Sequence, residues 1–352
     1  MSSLILNGKE IRYEEIQNIP DSGSSSMLRF CKDWLNGKKQ FSLFTSGSTG
    51  KPKEIILHRE QLIASARMTA LALGLKQGDR SFICLNTEFI AGMMMLVRGF
   101  ELEMRMTVVE PSANPLKNIS PSSRFEFTAM VPMQMQKILE ESPDKICVLD
   151  DMKAILLGGS PVSARLEEQL QSIKAPVYST YGMTETVSHI ALRRLNGEYR
   201  SELYSILDGV HTGIDERGCL TISAPTTKHH TIITNDLVEL SGKGMFRWLG
   251  RIDNVINSGG FKIHTDYLEE KIDRIFHEAG LSNRLFICPM PDAQFGEIAV
   301  LAVEGKIDQE KISALLKDTL KKFEVPKKIV VLGKFHETAT GKIDRIASRK
   351  LL

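Results

Sequence analysis

The 352-residue chain has no apolar run long enough to cross a bilayer, no paired cysteines and almost no net charge, and each shortage removes a class of function. Its densest apolar cluster, AGMMMLV, falls far short of the roughly 20 residues that a membrane helix needs. The opening MSSLILNGKE has too short an apolar stretch for a signal peptide, so no membrane insertion and a cytoplasmic location are expected. Cys31, Cys84, Cys147, Cys219 and Cys288 lie far apart with no C-x-x-C pair, which argues against zinc sites, redox dithiols and a disulfide framework. With 45 basic against 43 acidic residues, the net charge of +2 gives no electrostatic reason to bind nucleic acid. None of the eight histidines falls in a metal-binding spacing, and GGSPV is not the G-x-S-x-G of a hydrolase elbow. His229 and His230 read as surface residues. Small-molecule partners are expected, and the sequence leaves self-association open.

What is present describes a soluble globular chain, 42% hydrophobic and 25% charged, with room for two domains. Short apolar runs such as FSLFT, RSFICLN, FTAMV, MKAILLGG and APVYSTYG alternate with amphipathic stretches such as EQLIASARMTALAL and MQMQKILEE. That rhythm predicts an α/β layer structure with a mostly parallel sheet. A second unit is expected from Asp253. It would hold a helix over Asp266–Ala279, strands at RLFIC and EIAVLAVEG, a helix QEKISALLKDTLKKF and a strand KKIVVLG. The predicted domains are 1–252 and a small α+β unit, 253–352.

The stretch FTSGSTGKPK is small, polar and short of bulk. It fails the P-loop pattern G-x-x-x-x-G-K-[ST], because Pro52 stands where a Ser or Thr would ligate magnesium and Thr45 where the first Gly would stand. A strand running into such a loop still offers backbone N–H donors suited to a polyphosphate. Four further stretches follow in order: YGMTET (181–186), TND (234–236), GRIDNVINSGGFKI (250–263) and TGKIDR (340–345). Together the five resemble the core motifs of the adenylate-forming superfamily, the acyl- and aryl-CoA ligases. The resemblance runs from Phe41 to the C-terminus. Family members usually carry a longer segment before the loop, so a shortened N-terminal region is expected.

The resemblance implies attack of a carboxylate on the ATP α-phosphate, release of pyrophosphate, and thioester formation by coenzyme A. It implies that Thr45, Ser46, Gly47, Ser48, Thr49, Gly50 and Lys53 cradle phosphate, and that Gly158, Gly159 and Ser160 border the adenine beside Tyr181 and Gly182. Thr184 would donate to phosphate and Glu185 would hold Mg2+. Asp236 and Arg251 would take the ribose, Lys342 would stabilise the transition state, and Gly259 and Gly260 would leave room for the pantetheine arm of CoA. Read without the family, Thr184 and Glu185 equally fit a helix cap, and Arg251 and Lys342 equally fit solvated surface groups. Another aryl- or acyl-CoA ligase, an enzyme loading a carrier protein and a non-catalytic nucleotide-binding relative are the alternatives.

Arg98 interrupts the apolar stretch FIAGMMMLVRGFELEMRMTVVE. This stretch, with MTETVSH downstream, most resembles the branch of the family that joins o-succinylbenzoate to CoA in menaquinone synthesis. Its acid carries a second, aromatic carboxylate, which Arg98 would pair with, helped by Ser188. The alternative is an Arg that lays its stem on apolar neighbours and sends its head to solvent. Relatives often have histidine where Phe89 stands.

Overall fold

The computed structural model describes residues 2–6, 8–20, 25–45, 53–242, 244–337 and 343–352. Among them, thirteen strands form one sheet and five a second. Six neighbours in the large sheet run parallel, in the spatial order Ser3–Leu6, Arg105–Val108, Arg80–Ile83, Phe127–Met130, Ala154–Leu157 and Val177–Gly182. Four-residue strands such as FTAM and AILL are buried at every position, as strands covered on both faces must be. The alternation of apolar runs and helices therefore produced the expected α/β layers. Beyond Val177–Gly182 the sheet continues as an antiparallel meander through His189–Arg194, Tyr204–Ile206, Met245–Arg251, Ile232–Ser241, Cys219–Ser223 and His211–Ile214. At the other end the hairpin partner Lys9–Arg12 closes the sheet with an exposed KEIR edge, whose charges discourage further strand pairing.

Two helices position the site. Arg59–Leu73 ends at Gly74, whose left-handed φ of 64° lets its N–H bond back to Ala70. Ile90–Glu101 is buried along its length from Gly92 to Phe100. Gly99 makes that possible, because a Cβ there would lie 1.9 Å from the Met106 sulfur on the strand beneath. The strands Gln40–Thr45 and Lys53–His58 pair as a separate antiparallel hairpin. Between them, residues 46–52 lie outside the described ones, as does Lys342.

Past Asp253 the second sheet carries the helix Thr265–Glu278, the strands Leu285–Asp292 and Gly296–Glu304, the helix Gln309–Thr319 and the strand Lys328–Leu332. The helix from Gln309 stops four residues before the expected Phe323, where the chain turns ahead of Pro326. None of the five apolar clusters mixes residues from before and after Asp253. The two regions meet through polar groups. Arg274 pairs with Glu202 at 2.8 Å, the Asp273 carboxylate accepts from the Ala164 N–H at 2.8 Å, and His277 lies against Glu168.

Candidate active site

Two of the stretches singled out in the sequence lie at the carboxyl ends of adjacent parallel strands, where open α/β sheets bind ligands. Ala154–Leu157 leads into Gly158, Gly159 and Ser160, while its parallel neighbour Val177–Gly182 leads into Thr184 and Glu185. Gly158 permits this closeness, since a Cβ there would stand 2.5 Å from the Thr180 hydroxyl oxygen. At Gly182 a Cβ would meet the Ser188 carbonyl oxygen at 2.3 Å, so the chain doubles back against itself. Glu185 is exposed and Thr184 half-buried on the short turn Thr184–Thr186.

The doubling back runs through Val187, a buried β-branched residue at φ +69° and ψ −56°. It is the centre of a γ-turn in which the Ser188 N–H donates to the Thr186 carbonyl at 2.8 Å. This conformation costs on the order of 1–3 kcal/mol. The turn ends on Ser188, which accepts a 3.1 Å hydrogen bond from the Arg98 guanidinium, Nη2 donating. Arg98 is only 2% exposed, so the solvent-seeking alternative does not occur. It forms no ion pair among the described residues, and its Nε has no hydrogen-bond partner there. Burial pushes the guanidinium down to about 9, still a cation at neutral pH. Beside it His189 is buried and titrates well below the usual imidazole range, first because of burial and second because of the Arg98 charge.

That depression has a measurable consequence. As pH falls below about 6.5, the unfolded chain takes up a proton at His189 that the folded chain refuses, so His189 makes stability fall with pH by up to about 1.4 kcal/mol per unit. In denaturant titrations between pH 7 and 5, His189→Gln should lose stability less steeply than the wild type. Parallel curves for the two would show that His189 takes up its proton equally in both states.

Asp236 is buried, and both its oxygens are engaged. Tyr181 donates its hydroxyl at 2.9 Å and Trp248 its indole N–H at 3.2 Å. Tyr181 also packs edge-on against Tyr204 and Phe246, which fixes its ring. Arg251 is the cross-strand partner of Asp236, but its side chain forms an exposed 2.7 Å pair with Asp253. Gly259 and Gly260 lie at the tip of the hairpin Val255–Ser258 and Phe261–His264. A Cβ on Gly259 would crowd Phe295 at 2.8 Å, whereas Gly260 faces open space. The sequence reading missed Trp248, Thr69 and His189. Of these, only Thr69 left a local signal, as the last of the stripe Gln61, Ser65, Thr69 at helical spacing.

Among the described residues no group of three or more His, Cys, Asp or Glu could hold a metal by itself. Glu185 is exposed, which fits an ion brought in on a nucleotide's phosphates rather than one caged by protein.

The AMP-binding enzyme family matches residues 39–208. An acyl-CoA synthetase (AMP-forming)/AMP-acid ligase II-like protein from Dyadobacter fermentans, of known crystal structure, is 47% identical, with 92% of this chain and 93% of that one covered at a TM-score of 0.63. The chain belongs to this family of adenylate-forming, AMP-binding enzymes, the acid–thiol ligases. The 2-succinylbenzoate–CoA ligase of Bacillus mycoides is 26% identical over 376 residues, 96% of this chain and 77% of that protein. The o-succinylbenzoate CoA synthetase of Bacillus subtilis, solved with its acyl-adenylate intermediate, shares the fold at a TM-score of 0.72 and 22% identity, covering 88% of this chain and 68% of that one.

Proposed function

We propose that the chain activates o-succinylbenzoate as its acyl-adenylate and transfers it to coenzyme A. The observation that carries the choice of acid is Arg98. A buried cation with no carboxylate beside it is costly, and a ligand carboxylate would relieve that cost. o-Succinylbenzoate brings such a group on its ring, apart from the succinyl carboxylate to be activated. The relatives named for this acid support the same reading.

The remaining roles follow the placement of the side chains. Asp236, held on both oxygens, accepts from the ribose hydroxyls with its remaining lone pairs. Gly158, Gly159, Ser160 and Tyr181 border the adenine, and Thr184 donates to phosphate. The phosphate loop from Thr45 to Lys53 holds the triphosphate. Mg2+, held at Glu185, would offset triphosphate charge. Lys342 meets the charge that develops between carboxylate and α-phosphate, and Gly259 and Gly260 admit the thiol arm. Asp253 is the hinge on which the region 253–352 turns between the two half-reactions. The seam of polar contacts without a shared apolar cluster supports that motion.

The test is pyrophosphate release with ATP, Mg2+ and a panel of carboxylic acids, followed by thioester detection with free CoA. o-Succinylbenzoate should exceed every monocarboxylic acid in kcat/KM. A better monocarboxylic substrate would refute the choice of acid. Release without thioester formation would point to a carrier-protein thiol as acceptor, and no release with any acid to a nucleotide-binding relative.

A further inference from the structure

Ser188 does not hold Arg98 alone. Thr69, on the helix Arg59–Leu73, donates its hydroxyl hydrogen to the Ser65 carbonyl at 2.9 Å. A hydroxyl has one hydrogen, so its 3.1 Å contact with His189 must be one in which Thr69 Oγ1 accepts and Nε2–H donates. That contact fixes the tautomer, leaving Nδ1 bare. Nδ1 faces the Ser188 hydroxyl at 3.4 Å and can only accept from it, which turns the Ser188 lone pairs toward Arg98 Nη2. The donors therefore run one way, from Arg98 to Ser188 to His189 to Thr69 to the Ser65 carbonyl. Thr69 and His189 are 0% and 6% exposed. They lie 120 residues apart in sequence. The backbone of His189 pairs with Gly182, but the side-chain hydrogen bonds of Thr69 and His189 run through Ser188 to Arg98, so the chain of hydrogen bonds acts on the orientation of the guanidinium.

We infer that Thr69 and His189 are positioning residues that set selectivity for an acid with a second carboxylate, by fixing Arg98 through Ser188. The inference rests on the reading of Arg98 under the proposed function. Thr69 supplies the direction of the chain, because it alone commits the imidazole to one tautomer. An imidazole free to carry its proton on Nδ1 would donate to Ser188, and the serine would then compete less well for Arg98. The guanidinium would then swing within a site that needs a fixed fork to meet a carboxylate.

The test compares o-succinylbenzoate with 3-benzoylpropionate, the same molecule without its ring carboxylate, in wild type, Thr69→Val and Thr69→Ser. Wild type should prefer the dicarboxylate. Thr69→Val keeps the shape and loses the hydroxyl, and it should raise KM for o-succinylbenzoate about five- to tenfold, as expected for one buried hydrogen bond, with kcat little changed. Turnover of 3-benzoylpropionate should stay as in wild type, and Thr69→Ser should restore the dicarboxylate KM. The 15N shifts of the His189 ring should report Nε2–H in wild type and a tautomer mixture in Thr69→Val. Equal losses on both acids, or an unchanged tautomer with unchanged KM, would overturn the positioning role while leaving the reading of Arg98 intact. A wild type indifferent to the ring carboxylate would instead remove that reading itself, before any variant is measured.

Discussion

Replacing Arg98 by alanine is expected to lower kcat/KM for o-succinylbenzoate by a factor of about 30 to several thousand, corresponding to about 2 to 5 kcal/mol of transition-state binding. For 3-benzoylpropionate or a simple fatty acid the change should be slight. The contrast follows from burial. A carboxylate meeting a guanidinium that is 2% exposed is screened little by solvent, and the lost pair also strands the ligand's charge. A second measurement separates this from damage to the fold. Arg98→Met fills similar space without charge, so the ligand-free variant should be more stable than wild type by about 1–3 kcal/mol in chemical denaturation. Equal weakening of mono- and dicarboxylic substrates would sink the assignment. So would a marked loss of ligand-free stability in Arg98→Met, which would mean that the charge is already compensated.

Lys342→Ala is expected to reduce acyl-adenylate formation by at least 10²–10³-fold, the usual scale for losing one group that meets developing charge. Thioester formation from a supplied acyl-adenylate should continue near the wild-type rate, because the proposed hinge at Asp253 gives that step a different orientation of the region after it. The described residues on either side of Lys342 contact that region and each other. Arg345 pairs with Glu269 at 2.6 Å and with Asp266 at 3.6 Å, and Glu337 and Ile343 meet in an antiparallel bridge. Single-turnover measurements of each half-reaction distinguish the outcomes. Equal loss in both would show that the lysine supports the fold or binds CoA.

The sequence revealed the elements whose signal is local. The helix Thr265–Glu278, the strands on either side of Asp292 and the parallel run from Arg80 to Gly182 each carry a complete apolar period within one stretch. The antiparallel meander from His189 to Arg251 was harder to read. Its strands include pieces as short as Tyr204–Ile206, and its ladders slip register at His189/Ala191, Cys219/Thr221 and Leu237/Val238, which breaks a period of two. In the site, Arg98 and Ser188 were legible because a charge in an apolar helix and a polar residue after a motif both stand out in one dimension. Trp248 and His189 act through partners brought close only by the sheet and the packed helices. The strain at Val187 was invisible for a similar reason, since nothing in a valine announces a positive φ.

The contacts between the region before Asp253 and the region after it carry a consequence of their own. Apolar clusters keep their strength as salt is added, whereas exposed pairs such as Arg274–Glu202 are screened over about 8 Å at physiological ionic strength. Rising ionic strength should therefore loosen this junction while the cores on each side remain firm. With the proposed hinge at Asp253, the medium would then set how long the two regions stay docked, and an electrolyte would alter the rhythm of turnover without touching the nucleotide or the acid.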